Sequence, residues 1–399
     1  MKTLSNKINC HHAVMQGTFW AGFCAIWGFI SVFLLHKGFT NGQIGLINSL
    51  SLVFSILFQP LLASLADRSK WFDSRRIAIS LMAFLLGVTA VLRLFGDTHW
   101  VIAVCFVLIG TSLQLMAPFF NAIVMAYELR GIPVNYGFGR GIGSGCYAAM
   151  SMGMGIVLTH RTPTVILPRF AVFLVLLLVT LITFRYPLPA QSETAVKAET
   201  GQLSSREILH RYPDFVLLLV ASALLMASHN TINTYFIHVV NRIGQGELLM
   251  GTIVAISAFT ELPSMALFPF FSSHFSTRTL LCLSALTFLV KAILVTVATS
   301  PVLLYVYAII QFFEYGILQP SMVYYTARLL GLSNLIRGQS LYHIFSNGIG
   351  PALASLLCGV LLDHFGVTAM LLFLVACCVA GLVIVYIATK PKKDLEVFA

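Results

Sequence analysis

The chain consists of long apolar runs separated by short polar connections. Each run holds about 20 apolar residues, the length a helix needs to cross about 30 Å of hydrocarbon. A transmembrane β-barrel would alternate apolar and polar positions instead. The pattern therefore predicts an all-α membrane protein with twelve transmembrane helices, at approximately 13–35, 42–66, 76–95, 100–127, 138–159, 165–184, 213–238, 248–273, 279–298, 301–327, 338–361 and 366–388.

One long polar stretch, at 185–212, divides the predicted helices into two groups of six. We predict an N-terminal six-helix bundle at 1–184, a cytoplasmic central loop at 185–212, and a C-terminal bundle with a short cytoplasmic tail at 213–399. Ser204 and Glu207 have the spacing of a helix-capping box, which predicts a short surface helix before the seventh span.

Composition excludes a water-soluble protein, since 58% of the residues are hydrophobic and only 10% are charged. Soluble domains carry about 25% charged residues. The net charge of +10 comes from Lys and Arg residues spread over short connections, mostly on the side shared by both termini. This positive-inside bias predicts cytoplasmic termini and speaks against nucleic-acid binding. The first run is too long for a signal peptide and lacks a small-residue cleavage site, so we interpret it as the first span.

The eight cysteines show no metal-ligand spacing, and all but Cys10 lie inside apolar runs. They are typical of small core residues. No nucleophile, phosphate-binding or metal motif accompanies them, and no loop exceeds about 30 residues. The sequence therefore predicts neither an enzyme nor a bound cofactor.

Two acids, Glu261 and Glu314, and one base, Lys291, fall deep within predicted spans, and Arg140 lies near the start of the fifth. A charge at the bilayer centre costs about 2.5–3.5 kcal/mol on insertion scales, so each is a functional candidate. Two carboxylates and two cations could compensate one another in an apolar bundle. The alternative interpretation is that they form buried pairs that only orient the helices.

Glu314 has the strongest signal for proton coupling. Gln311 lies three residues earlier, on the same face of a helix, and Lys291 is the deep cation of the same half. Burial favours the protonated carboxyl group, whereas a nearby cation favours the ionised form. A membrane Glu near a Lys can therefore gain or lose a proton as the cation moves.

Other polar residues in the spans favour structural roles. Asn230 and Asn233 share a face of the seventh span and are typical of helix–helix contacts. His229, His238 and His343 have no acidic partner at a useful spacing, so we interpret them as structural histidines. The fifth span is rich in glycine, which predicts close packing against a neighbouring helix; its glycines are Gly139, Gly141, Gly143, Gly145, Gly153 and Gly155.

Several short motifs occur in a characteristic order along the chain. They are Leu57-Phe-Gln-Pro-Leu61 with Ala66-Asp67, Tyr136-Gly137-x-x-Arg140-x-x-Gly143-Ser144, Glu261-Leu262, Val290-Lys291, Ala298-Thr-Ser300 and Phe312-Phe313-Glu314. With these motifs the sequence resembles the major facilitator superfamily, and within it the oligosaccharide:proton symporter group that includes lactose permease. The resemblance implies two pseudo-symmetric six-helix bundles and a solute site near the membrane midplane. The sequences of residues 44–51 and 250–257 are similar to each other, as expected for such a repeat.

Carried over residue by residue, the resemblance implies a solute site that contains Arg140, Asn121, Tyr147 and Glu261. Arg140 falls on an arginine that binds sugar hydroxyls, and Tyr147 on a tryptophan that stacks against the sugar ring. Asn121 falls on the acidic partner of that arginine, so a charged contact has become an amide. Glu261 falls on an essential acidic residue of the eighth helix.

The resemblance also implies the coupling residues Glu314, Lys291 and Gln311. Glu314 falls on the proton-carrying glutamate and Lys291 on its arginine partner. Gln311 replaces a histidine, so any link through it must use hydrogen bonds. Two charged pairs of the lactose permease have lost both partners here, which is nearly neutral for a buried pair; the positions are Asn230 with Asn347 and Asn233 with Ala308.

The predicted function is therefore a proton-coupled symporter that imports a small polar solute, a sugar, oligosaccharide or glycoside, by alternating access. The alternatives are a nucleoside or aromatic-acid permease and a drug:proton antiporter. Antiporters usually carry a Gly-x-x-x-Gly-Pro motif in the fifth helix, whereas here Gly348-Ile-Gly-Pro351 lies in the eleventh. We expect a monomer in the bacterial inner membrane, with lipid and a small-molecule solute as its partners.

Overall fold

A computed structural model describes residues 2–68, 73–128, 130–187 and 203–390. Two predicted features lie outside these residues: most of the central loop and the tail after Lys390. The side chain of Asp67 in the Ala66-Asp67 motif also lies outside them. Over the described residues the chain is helical, and its helices fall into two compact units.

The first unit comprises Met1–Phe39 and Leu50–Lys197. Its helices are α1 (Lys2–Trp27), α2 (Ile30–His36), α3 (Asn41–Arg68, of which the first residues cluster with the other unit), α4 (Ser74–Leu94), α5 (His99–Glu128), α6 (Tyr136–His160) and α7 (Ile166–Thr183).

The second unit comprises Thr40–Ser49 and Ala198–Ala399. Its helices are α8 (Ser205–Arg211), α9 (Pro213–Thr234), α10 (Phe236–Arg242), α11 (Glu247–His274), α12 (Thr277–Val297), α13 (Pro301–Ile310), α14 (Tyr315–His343) and α15 (Gly350–Ala388). A 3₁₀ turn at Gln311–Phe313 separates α13 from α14, and a π-helical segment at Ile344–Ile349 separates α14 from α15.

Eleven helical segments of the described chain are long and apolar enough to cross a membrane. The last of them, Arg337–Ala388, has 52 residues and would exceed twice the thickness of the hydrocarbon core as one helix. Gly366 interrupts it with φ 78°, a backbone conformation that favours glycine. Since each side of Gly366 is long enough to span, the eleven segments are consistent with the twelve predicted helices.

The first turn of α3 is held by side chains of the second unit, to which Thr40–Ser49 belongs. The Asp363 carboxylate accepts hydrogen bonds from the backbone N–H groups of Asn41 and Gly42, at 3.0 and 2.6 Å. The Tyr235 hydroxyl donates to the carbonyl oxygen of Asn41 at 3.0 Å. A carboxylate at this position satisfies orphan N–H groups and complements the helix dipole.

The predicted capping box is confirmed at the start of α8. The Ser204 hydroxyl accepts from the backbone N–H of Glu207 at 3.2 Å, and the Glu207 carboxylate accepts from the backbone N–H of Ser204 at 2.6 Å. The hydrogen bond that the Ser204 backbone donates to the carboxylate is the main reason that the pKa of Glu207 lies below its ordinary value.

The glycines of α6 permit close packing against α1, but only on part of the helix. A Cβ atom at Gly143 would lie 2.6 Å from Cδ1 of Trp20, and one at Gly139 would collide with the His12 ring. A Cβ atom at Gly145 would meet no heavy atom within 4 Å. The predicted close contact is therefore present at Gly139 and Gly143, whereas Gly145 is not needed for it.

Candidate functional site

Four of the predicted site residues form one hydrogen-bonded group in the second unit. The Lys291 ammonium donates to Oε2 of Glu314 at 2.5 Å and to Oε1 of Gln311. The Gln311 amide in turn donates through Nε2 to Oε1 of Glu261 at 2.6 Å. Lys291, Gln311 and Glu314 are each only 2% exposed. We call these four residues, together with His229, the lysine cluster.

The lysine cluster is built at a break in the tenth span. α13 ends at Ile310, the 3₁₀ turn Gln311–Phe313 follows, and Glu314 has the non-helical dihedral angles φ −86° and ψ −97°. A 3₁₀ turn has three residues per turn, so side chains at i and i+3 are eclipsed. Gln311 and Glu314 therefore both face Lys291, although the regular helix that the sequence predicted is absent there.

Two serines from neighbouring helices bond the backbone at this break. The Ser264 hydroxyl of α11 donates to the carbonyl oxygen of Phe312. The Ser284 hydroxyl of α12 donates to the carbonyl oxygen of Glu314 at 2.8 Å. A break in a helix within the hydrocarbon region requires such partners, because no water is present there to accept or donate hydrogen bonds.

The fifth member, His229 of α9, corrects the sequence interpretation. We predicted a structural histidine without an acidic partner, but Nδ1 of His229 lies 3.2 Å from Oε2 of Glu314. Its Nε2 lies 3.2 Å from the Asn233 amide nitrogen. The ring stacks on Tyr315, with centroids 5.6 Å apart and an interplanar angle of 16°. His229 therefore lies on the same carboxylate oxygen as Lys291.

The lysine cluster contains two carboxyl groups, those of Glu261 and Glu314, and one ammonium group, that of Lys291. The Lys291 ammonium also lies over the Tyr307 ring, 4.2 Å from its centroid, an arrangement that stabilises a cation. Buried charge is costly unless it is paired. Lys291 therefore compensates the buried carboxylate of Glu314.

Two predicted solute residues of the first unit, Arg140 and Tyr147, contact the same tryptophan. The Arg140 guanidinium lies 4.2 Å from the centre of the Trp20 ring and donates to the Ser144 hydroxyl at 3.0 Å. Tyr147 contacts the edge of Trp20, with centroids 6.4 Å apart. Arg140, Trp20 and Tyr147 are all partly exposed. We call Trp20, Arg140, Ser144 and Tyr147 the tryptophan cluster.

Trp20 was missed by sequence reasoning and is fixed by its own helix. Its indole Nε1 donates to Oε1 of Gln16 at 3.0 Å, and the Gln16 amide nitrogen lies 3.1 Å from Nε2 of the buried His12. Within the described chain, Arg140 bonds Ser144 and lies over Trp20, and its predicted partner Asn121 is not bonded to it. Arg140 and Tyr147 therefore lie on the same tryptophan, whereas Asn121 is not part of the tryptophan cluster.

Two further polar residues have local contacts. Asn230 donates to the carbonyl oxygen of Met226, four residues earlier on α9, at 3.0 Å. His238 contacts the Asn41 side chain at 2.7 Å, next to the Asp363 cap of α3. Neither residue contacts the lysine cluster through these bonds.

The sequence pattern of the MFS_1 like family matches residues 18–375. The chain belongs to the MFS_1 like family. A maltose permease of Geobacillus stearothermophilus is 27% identical over 378 residues, covering 93% of this chain and 92% of that protein. An uncharacterized transporter, YwbF of Bacillus subtilis (strain 168), is 22% identical over 397 residues, covering 97% and 96% of the two chains.

Solved structures show the same fold. The crystal structure of the nucleoside transporter NupG superposes with a TM-score of 0.80 over 96% of this chain and 100% of that chain, at 14% identity. At this identity the likeness concerns the fold alone. The prediction of a major facilitator transporter is confirmed by the family match, and this member of the MFS_1 like family is a multi-pass membrane transporter of small molecules rather than an enzyme.

Proposed function

We propose that this MFS_1 like transporter is a proton-coupled symporter that imports a sugar, oligosaccharide or glycoside by alternating access. The observation that carries the proposal is the buried contact of Lys291 with both Glu314 and Gln311. A carboxylate held by an ammonium inside an apolar bundle remains ionised while the ammonium is in contact, and binds a proton when the ammonium leaves.

The hydrogen bonds of Gln311 connect the proposed solute contact at Glu261 with the proposed proton site at Glu314. Its carbonyl oxygen accepts from Lys291, and its amide nitrogen donates to Glu261. A solute hydroxyl that bonds Glu261 competes with Gln311 for this carboxylate. We propose that solute binding at Glu261 releases Gln311, which in turn changes the hold of Lys291 on Glu314. The proton is the coupling ion, and no cofactor is needed.

The tryptophan cluster supports a saccharide as the solute. A guanidinium donates several hydrogen bonds in a fixed geometry, which suits neighbouring hydroxyls, and an aromatic ring offers an apolar face. We propose that Arg140 and Tyr147 bind the solute, with Asn121 as a further amide contact. The maltose permease relative supports this substrate class. A nucleoside or an aromatic acid could use the same aromatic faces, so both belong in the binding test.

The remaining expectations are parts of the same proposal. Both termini are assigned to the cytoplasm by the distribution of Lys and Arg residues. The membrane is the bacterial inner membrane, the working form is a monomer, and no nucleic acid takes part.

Glu314→Gln tests the coupling. In proteoliposomes, the unmodified protein is expected to accumulate labelled solute against its gradient when a pH gradient is imposed. The variant is expected to lose this accumulation but to keep counterflow, which exchanges solute without net proton movement. The solute is chosen beforehand by thermal shift with maltose, other sugars, nucleosides and aromatic acids, because a ligand that binds the native state stabilises it. Uphill accumulation by Glu314→Gln would contradict the proposal.

Arg140→Ala tests the recognition. Loss of a guanidinium that bonds the solute is expected to weaken binding at least tenfold, since hydrogen bonds to a charged group contribute about 1.5–3 kcal/mol. Isothermal titration with the solute selected above measures the effect. Arg93→Ala is the matched control, because Arg93 is an exposed arginine in the last turn of α4. Unchanged binding by Arg140→Ala would remove Arg140 from the solute site.

A further inference from the structure

The ring of His229 is held in one orientation. It stacks on Tyr315, and the edge of Phe288 contacts it with centroids 6.3 Å apart. This packing directs Nδ1 toward the carboxylate of Glu314 and Nε2 toward the amide of Asn233. Asn233 is exposed, whereas the Glu314 side chain is only 3% exposed. His229 therefore lies between a buried carboxylate and an exposed amide.

The neighbours of the ring determine where its hydrogen atom lies. The Asn233 amide nitrogen can only donate, so the unprotonated ring accepts this bond at Nε2 and carries its hydrogen on Nδ1. The Nδ1–H group then donates to Glu314. If the ring gains a proton, Nε2 becomes a donor and needs an acceptor, which Asn233 supplies when its amide turns by half a rotation. In both states the proton that is gained or lost is the one on Nε2.

The Glu314 carboxylate favours this proton, because a carboxylate next to an imidazole stabilises the imidazolium form. Other ionisable groups at the cluster are Tyr315, which stacks on the ring, and Cys378 of α15, which interacts with Glu314 and whose thiol bonds Ser228. Tyr307 faces Lys291. Among these described neighbours, only Glu261 and Glu314 carry negative charge, and only Lys291 carries a fixed positive charge.

Resting on the proposed function, we infer that His229 is the group through which Glu314 exchanges its proton with water. A proton binds at Nε2 of His229, and the hydrogen on Nδ1 passes to Oε2 of Glu314. The ring is then neutral, with its hydrogen on Nε2, and the carboxyl group is protonated. Lys291 and His229 contact the same oxygen, so the ammonium must leave Oε2 before the transfer occurs.

The first test needs no solute and uses the unmodified protein. Nitrogen NMR of protein labelled with ¹⁵N-histidine reports which ring nitrogen carries the hydrogen, and the difference from His229→Asn assigns the signal. We expect the Nδ1–H form of neutral His229, which is the less common one in water, and its conversion to imidazolium on acidification. A neutral His229 that carries its hydrogen on Nε2 would overturn the inference.

The second test measures how fast Glu314 is protonated after a rapid drop in pH. The observable is the infrared band of its carboxyl group, which is assigned as the band that is missing in Glu314→Gln. His229→Asn keeps an N–H group near the Nδ1 position but cannot carry a proton. We expect it to slow the protonation of Glu314 at least tenfold with an unchanged final amplitude. Protonation at the parental rate would overturn the inference.

His343→Asn is the matched control. His343 contacts Asn347 with the same four-residue spacing that relates His229 to Asn233, at 3.2 Å, so the variant removes an equivalent pair elsewhere. It is expected to keep the parental rate. If the spectrum of Glu314→Gln contains every proton-dependent band of the parent, the proposed coupling fails at Glu314 itself. If the band is assigned to Glu314 but His229→Asn protonates it at the parental rate, only the role of His229 is removed.

Discussion

The cations of the two clusters, Arg140 and Lys291, occupy opposite environments. Arg140 is partly exposed and rests on the face of Trp20, with a hydroxyl as its polar partner. Lys291 is 2% exposed and contacts a carboxylate and an amide. A guanidinium remains charged under all ordinary conditions, so the first arrangement is suited to holding a polar ligand. The second contains groups that can exchange protons, and is suited to responding to pH.

The largest expected difference between the two regions is in stability. Lys291→Met leaves Glu314 buried without its cation, and breaking such a pair costs about 3–5 kcal/mol. The double variant Lys291→Met with Glu314→Gln is expected to recover most of this loss, because removing both charges is nearly neutral. Equilibrium unfolding in mixed micelles measures both. A double variant as unstable as the sum of the two single variants would show that the pair is not coupled.

A smaller effect is expected in the first unit, at the contact of α6 with α1. Gly143→Ala would place a methyl group 2.6 Å from Trp20, and overpacking of this kind costs about 1–3 kcal/mol. Gly145→Ala is the control on the same helix, where the new methyl group meets no atom within 4 Å. It is expected to be neutral or to stabilise slightly, since alanine is the better helix former. Equal melting temperatures for the two variants would contradict the packing of Trp20 against Gly143.

The smallest expected effect is that of Arg140→Ala on stability. A partly exposed cation on an aromatic face contributes about 0.5–1 kcal/mol, and its removal leaves no buried charge unpaired. We therefore expect the free energy of unfolding to change by about 1 kcal/mol or less, against the much larger loss for Lys291→Met. A loss comparable to that of Lys291→Met would mean that Arg140 compensates a buried charge, and the contrast between the two cations would disappear.

The contact of Lys291 with Glu314 could be predicted from the sequence, because each charge in an apolar span needs compensation and few candidates exist. The membrane-spanning helices follow from the same limitation on polar groups in lipid. The capping box at Ser204 could be predicted because it depends only on local spacing.

The sequence could not predict His229 or Trp20 as members of the two clusters. A neutral histidine does not require a partner, and its contact with Glu314 joins residues 85 positions apart. Trp20 lies in an apolar run, where an aromatic residue is usually part of the core. The break at Gln311–Phe313 also has no local signal, since neither glycine nor proline occurs in that turn; it depends on hydroxyl groups contributed by α11 and α12.

Ser284 and Lys291 lie seven residues apart on α12, two turns along the same face, and both bond Glu314. The Ser284 hydroxyl bonds the main-chain carbonyl oxygen of Glu314, and the Lys291 ammonium bonds its carboxylate. Sliding of α12 past the start of α14 would disturb both bonds at once. The ammonium can instead depart by rotation about its own flexible stem while the backbone stays in place. Release of the carboxylate would then be a fast local event, and the slow step of a transport cycle would lie in the movement of larger parts of the protein.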